Sequence, residues 1–378
     1  MANGDGDAIV IVERVLQLLD EGRFSATYKH ALLTALLDLC VEGADAHGAP
    51  PQMLTTRQIA EKVIAVYWPH VRVWKVSAPL LRQMNDTRQI VGSDTILGWI
   101  HAFRQRVELA GGATAPVVRA RALDPVGWNE LLDKVEWRLI EMPLPKLQRV
   151  GGQDVGWLYR IGWNDHDARA SRAAVRAYQR GQPSPFNNAV HLMPGVGMAF
   201  ARLHAVLRPF LQHHWAEKVA SLNAQEVPQA GLHEFLFGVE RSSLEPVREG
   251  LMQLQAGKCF YCDGRLDRGA VHVDHFLPWA RHPDDALANL VAADAVCNGD
   301  KRDFLASTGH VERWRERMQT QHPLLEQMAT LARWDVGADR VLGAARAMYL
   351  ALPGETRLWA GRKRWEILEN PRLQLALA

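Results

Sequence analysis

A chain of 378 residues that is 48% hydrophobic has material for one large core or two to three ordinary ones, so it should fold without disulfide staples. Its 44 Lys and Arg stand against 42 Asp and Glu, a formal charge of +2, which excludes a general polyanion binder and requires any nucleic-acid surface to be local. Residues 1–150 carry 17 charges of each sign and residues 151–230 carry 8 basic against 5 acidic, so affinity for DNA should be modest and fall steeply with salt, and loading by a protein partner fits.

The acidic start lacks the basic region of a secretory signal, and the apolar run 8–12 is too short for its core. The apolar stretch 31–40 is interrupted by Asp38 and falls short of the ~20 residues that cross a bilayer, which predicts no membrane segment and a cytoplasmic protein. Tyr28, Leu32, Ala35, Leu36 and Leu39 fall on one helical face, and the loop 43–51 follows. Thr55 with Gln58 three residues later is a capping box that opens a second helix through Ile59, Val63, Val66 and Tyr67. A third helix from about Ser77 and a fourth from Asp94 to Leu109 complete a helical N-terminal domain, residues 1–123. Such a domain admits a winged-helix-like DNA reader, but helix-turn-helix spacing arises by chance in any all-α domain, and a scaffold or partner-docking role weighs more.

Residues 124–165, with four tryptophans among Pro143, Pro145 and the Gly151-Gly152 pair, read as a loop-rich stretch with β content, and 181–188 as a linker. Helical periodicity returns over 194–222, which closes a mixed middle region, 124–250. Three of the four cysteines fall in one short region, which suits a metal site in a reducing compartment, while Cys40 reads as a small core residue. Downstream, 311–318, 324–334 and 341–352 read as C-terminal helices (311–378) packing on the segment 251–310. The expected fold class is mainly α with a small mixed module, α+β overall.

That segment carries the chemistry. Cys259-x-x-Cys262 followed by Asp263-Gly264 is a knuckle whose thiolates can share a metal. Residues 271–276 alternate as a strand that 289–292 can pair with, and Cys297, Lys301 and Phe304 recur at helical spacing over 297–305. The arrangement is a two-stranded ribbon with one helix laid against it.

This order of Cys-x-x-Cys, Asp274-His275, Asn289 and Cys297-Asn298 resembles the HNH endonuclease family, which implies a ββα-metal fold and hydrolysis of DNA to 5′-phosphate and 3′-hydroxyl ends. The resemblance implies His275 as general base, Asp274 and Asn298 as ligands of a catalytic Mg²⁺ or Mn²⁺, and Asn289 as the residue that orients His275. The types suit the task, since an imidazole takes a proton from water near neutral pH and a hard cation on oxygen ligands neutralises the growing phosphate charge. Because neighbours on a strand face opposite sides, Asp274 and His275 both serve one site only where the ribbon is distorted or ends there, and local irregularity is expected.

The family's structural zinc pattern ends in Cys-x-x-Cys, and here the first of that pair is Asp294; Cys259, Cys262, Asp294 and Cys297 are the expected zinc ligands, with His272 the alternative fourth. Lys301 and Arg302 share a helical face with Asn298 and are candidate phosphate contacts, against the alternative of a solvated face with Asp300 and Asp303. Trp279 reads as a buried anchor rather than a stacking platform, and His204, His213, His214 and His310 receive no role. Residues 235–238 and 274–279 look similar to stand-alone bacterial HNH proteins, some in Zorya-like anti-phage systems, which implies DNA and a defence-system protein as partners. The alternatives are a catalytically silent, zinc-stabilised DNA-binding or adaptor module, and an RNA-directed nuclease; the oligomeric state is not legible.

Overall fold

The computed structural model describes residues 3–21, 26–74, 80–84, 92–110, 115–150, 153–154, 156–164, 167–223, 231–238, 244–267 and 271–378. Among these the chain is mostly helical, with one three-stranded and three two-stranded antiparallel sheets, the expected α+β class. Backbone packing separates two units: residues 1–40, 50–110 and 124–240, and residues 41–49, 111–123 and 241–378. The second unit thus combines the cysteine segment with the C-terminal helices.

In the first unit the capping box forms as the sequence indicates: Thr55 accepts from the Gln58 amide, and the Gln58 side chain accepts from the Thr55 amide at 2.9 Å. The helix it opens, Thr56–Tyr67, buries Ile59, Val63, Ile64 and Tyr67, and Tyr67 meets Trp215 of the long helix Val196–Leu222 edge to face. The strand Met53–Thr55 pairs with Ala189–Leu192, which also pairs with Tyr159–Ile161. Burying Asp38 is tolerated because His204 and Arg208 reach it at 2.9 and 3.0 Å; burial raises its pKa, but the Arg208 charge together with the His204 hydrogen bond and charge outweighs that and holds the carboxyl well below the usual range. His204 is therefore structural. Cys40 is fully buried.

Two expectations need correction here. The start of the helix expected from Ser77 lies outside the described residues, and Leu80–Met84 are not helical. The stretch from residue 124 is not loop-rich at its start: Pro125–Glu141 is a helix, opened by Asp124, whose carboxylate accepts from the Gly127 amide, with Pro125 at the first helical position where its missing N–H costs nothing. A β-containing segment follows, with short strands at Arg149–Val150, Gln153–Asp154 and Tyr159–Ile161.

In the second unit Val271–His275 pairs antiparallel with Leu290–Asp294, from Val271↔Asp294 at one end to His275↔Leu290 at the other. The second strand is buried almost throughout because helices cover it: Arg317 of the helix Thr308–Thr320 donates to the carbonyls of Ala288 and Leu290, and Trp314 donates to Ala288. The helix His322–Ala332 and the helix Ala338–Leu350 follow, and the hairpin Arg357–Gly361/Arg364–Ile367 brings the Trp359 Nε1 to Asp300 at 2.9 Å.

Candidate active site and metal centre

The knuckle is built by a tight turn. The Cys259 amide donates to the Gly264 carbonyl and the Asp263 amide to the Cys259 carbonyl, with Asp263 in the left-handed region at φ 59°. The turn is tied to the ribbon, because the Phe260 amide donates to the Ala292 carbonyl and the Gln255 side-chain amide bonds both the N–H and the carbonyl of Ala292 while also donating to the Lys258 carbonyl. One ligand atom each from Cys259, Cys262, Asp294 and Cys297 lies within 4.8 Å of the others.

Asp294 divides its carboxylate between two tasks. One oxygen caps the helix Ala295–Lys301 through the Val296 and Cys297 amides, and the other accepts from the Cys262 thiol at 3.3 Å. Burial, helped by the carboxylate, pushes the Cys259 thiol up to about 11 and the Cys297 thiol further. The donor set, three thiols and a carboxylate converging on one point, fits a tetrahedral zinc. His272 is not in the cluster; its Nδ1 instead meets the Asn298 amide nitrogen at 3.1 Å.

At the opposite end of the ribbon, Asn289 is fully buried and spends its side chain on the loop 276–289: its oxygen accepts from the Leu277 amide at 2.8 Å, and its nitrogen donates to the carbonyls of Leu277 and Asp284 at 3.3 and 2.9 Å. It does not bond the His275 ring. What holds the ring is Asp285, whose Oδ1 lies 2.9 Å from the His275 Nε2, both side chains nearly buried. Asn289 thus clamps the carbonyl of Asp284, next to Asp285. The loop is braced again by Arg340, which pairs with Asp284 and Asp335, and by Trp334, which donates to the Asp285 carbonyl at 2.6 Å. Trp279 packs half-buried against the His275 ring, centroids 5.2 Å apart, which agrees with the anchor reading.

Asp274 turns the other way, toward the helix. Its Oδ2 accepts from the Tyr261 hydroxyl at 2.6 Å and lies 3.1 Å from the Lys301 ammonium. Lys301 is fully buried, and also donates to the His275 carbonyl at 2.7 Å. This corrects its assignment as a phosphate contact: the ammonium is spent inside the module. Burial lowers the Lys301 pKa, partly offset by the Asp274 charge. The helix is also shorter than the spacing implied, Ala295–Lys301 rather than 297–305, because Arg302 adopts a positive φ of 49° and ends it. Arg302 is exposed and does not continue the face of Asn298 and Lys301. The expected strand irregularity is absent; pairing is regular to His275, and the strand ends there instead.

The donors on the helix-facing side are His272, Asp274 and Asn298, an oxygen- and nitrogen-rich set that suits a hard divalent cation. The Asp274 Oδ1 has no described partner, and is the oxygen such a cation would use. Tyr261 and Asp285 are the site residues that sequence reasoning missed. Asp285 sits four positions before Asn289, but spacing alone does not say which of the Asp284-Asp285 pair faces His275. A second cluster, Glu42, His282 and Asp284, is wholly buried with ligand atoms within 4.8 Å, but Arg340 already supplies the cation for Asp284.

Residues 259–307 match the sequence model of the HNH endonuclease family. The chain carries an HNH endonuclease module. The match spans the knuckle, both ribbon strands and the helix after them, and its family-level meaning is nuclease activity on nucleic acid. No curated protein and no solved structure matches the chain. None of these comparisons bears on the Zorya-like resemblance. No helix among the described residues is long and apolar enough to cross a membrane.

Proposed function

We propose that this protein is a metal-dependent endonuclease that hydrolyses DNA phosphodiester bonds, with His275 as the general base. The observation that carries this reading is the buried His275–Asp285 pair at the ribbon end, one residue from Asp274. With the Nε2 proton donated to Asp285, the ring's lone pair is on Nδ1, the atom that takes a proton from the attacking water. The water oxygen bonds to phosphorus in line, the P–O3′ bond breaks, and the products are a 5′-phosphate and a 3′-hydroxyl. The Asp285 carboxylate stabilises the imidazolium formed in that step, and Asn289 keeps Asp285 in place.

Asp274 and Asn298, with His272 beside them, would hold the Mg²⁺ or Mn²⁺, which supplies charge neutralisation at the phosphate when bound. Cys259, Cys262, Asp294 and Cys297 would hold a structural Zn²⁺, and Arg302, exposed at the helix end, would meet the DNA backbone. One observation favours the silent-module reading: the Lys301 ammonium already compensates Asp274, as it would in a site that needs no second cation. Supercoiled plasmid separates the two. Nicking that requires magnesium or manganese and disappears in His275→Ala supports the enzyme; absence of nicking with every metal, from a protein that retains its zinc, rejects it.

A further inference from the structure

A cleft of about 470 Å³ opens in the first unit, between the helix Pro125–Glu141, the helix Arg172–Gln179 and the start of the helix Ile96–Leu109. Two tryptophans line it, Trp99 and Trp137, each half-exposed. Arg138 lies over the Trp99 ring at 5.3 Å, and Arg172 near the Trp137 ring at 6.0 Å. Arg172 and Arg176 stand one turn apart on the same exposed face, and Arg180 caps that helix a turn further on, a spacing of ~6 Å along the axis.

The charges do not cancel. Of the acidic residues at the cleft, Asp133 is taken by Arg57 at 2.6 Å, and Glu141 and Asp94 by Arg138 at 3.5 and 3.8 Å. Over the lining as a whole, Lys134, Arg138, Arg172, Arg176 and Arg180 stand against Asp94, Glu130, Asp133 and Glu141, a small basic excess, and Arg172, Arg176 and Arg180 have no ion pair among the described residues. The three exposed arginines form a row beside two half-exposed indole rings. That row is complementary to a chain of phosphates that carries planar, stackable groups.

We propose that this cleft binds single-stranded DNA, with phosphates on Arg172, Arg176 and Arg180 and an unstacked base against Trp137. A single strand is favoured over a duplex because rings sunk in a cleft reach a base only when its face is uncovered. The volume suits a nucleotide unit, within the range of ordinary ligand sites. The choice of DNA rests on the endonuclease reading, and the nucleoside-phosphate chemistry does not.

The test is binding of a labelled single strand of about a dozen nucleotides to the full chain without added divalent metal, read by fluorescence anisotropy against salt. The double variant Arg176→Gln/Arg180→Gln should bind about tenfold more weakly and lower the salt slope by roughly 1.4, about 0.7 for each phosphate left unneutralised. Trp137→Leu should weaken binding by at least about fivefold with the slope unchanged. All three positions are at least partly exposed, so melting temperatures should match the wild type. Unchanged affinity and slope in the arginine variant overturn the proposal, as does a matched duplex or RNA that binds more tightly and loses the same affinity. Displacement of the strand by millimolar deoxyadenylate in the wild type but not in Trp137→Leu assigns the same chemistry to a free nucleotide. Plasmid nicking, measured separately, decides the nuclease reading: a chain that nicks while the arginine variant binds normally loses only the cleft, and one that binds through the cleft but never nicks loses only the nuclease.

Discussion

The two ends of one ribbon are built from different chemistry. At Val271↔Asp294 three thiols and a carboxylate converge, and Cys262 is exposed; at His275↔Leu290, four residues along, an imidazole and a carboxylate sit nearly buried beside a loop clamped by Asn289. The first end gathers soft ligands that a metal would tie together, on a turn bonded to the ribbon through Phe260 and Gln255. The second is held by neutral and ionic hydrogen bonds to side chains far along the chain, Trp334 and Arg340, so its order is intrinsic to the fold. On the proposed function, structural and chemical tasks are separated along a strand of five residues, and the two ends should fail differently.

The largest effect is expected at the chemical end. His275→Ala should reduce plasmid nicking about 10³-fold or more, the scale of a lost general base, with zinc content and melting temperature unchanged. Cleavage at the wild-type rate would show that another group takes the proton. Cys259→Ser or removal of zinc by a chelator should do the reverse: a melting temperature lower by roughly 10 °C, from the loss of a metal-held turn, followed by loss of activity as a consequence of unfolding. If the melting temperature does not move, the three thiols pack the knuckle without a metal and the contrast between the ends disappears.

Acid should sharpen the contrast. Protons compete with zinc for thiolates, so the knuckle should release its metal as pH falls through the weakly acidic range. The Asp284 carboxyl behaves otherwise: burial raises its pKa, but Arg340 and His282 hold it well below the usual carboxylate range. A carboxyl with a depressed folded pKa contributes stability that is present above its unfolded pKa, near ~3.9, and is lost only as pH falls through the lower folded value. Near pH 4.5 a chromophoric chelator should therefore report zinc release while the near-ultraviolet signal of the tryptophans around the loop persists. Loss of both signals together would mean that the ends are one cooperative structure.

A smaller effect is expected from Asp285→Asn, which keeps the size and removes the charge that faces the imidazolium. Turnover should fall by about 10- to 100-fold with KM little changed, because the imidazolium formed in the step loses the carboxylate that faces it. Turnover at the wild-type rate would show that Asp285 only shapes the loop.

Why some of this was legible in the sequence and some was not follows from which interactions are local. The knuckle, the Thr55–Gln58 box and the alternation of the first ribbon strand are set by residues within a few positions of one another, and each is found where the sequence indicates. The helix from Pro125 was locally encoded as well, by Asp124 and Pro125, but the surrounding tryptophans, prolines and glycines masked its start signal. The partners of His275 and Asp274 are a different case. Asp285 reaches His275 only after the loop is closed by Asn289, and Lys301 reaches Asp274 only once the helix docks on the ribbon, so neither contact has a signature in spacing. The same non-local docking turned Lys301 from an expected surface cation into a buried one.

Lys301 and its neighbour Arg302 give the finest test. They are adjacent cations, and a sequence-based reading assigns them one task; the backbone separates them, because the helix stops at Lys301 and Arg302 turns outward at φ 49°. Lys301→Gln leaves the Asp274 carboxylate without its cation in a buried site, and should cost about 3 kcal/mol of stability, the scale of breaking a buried pair. Arg302→Gln should leave the melting temperature where it is and weaken plasmid cleavage only a fewfold, with a salt slope lower by about 1, the share of one phosphate contact. If instead Arg302→Gln destabilises the protein and Lys301→Gln changes only the salt slope, the buried ammonium has been assigned to the wrong side of the helix, and with it the orientation of Asp274 on which the metal ligand set depends.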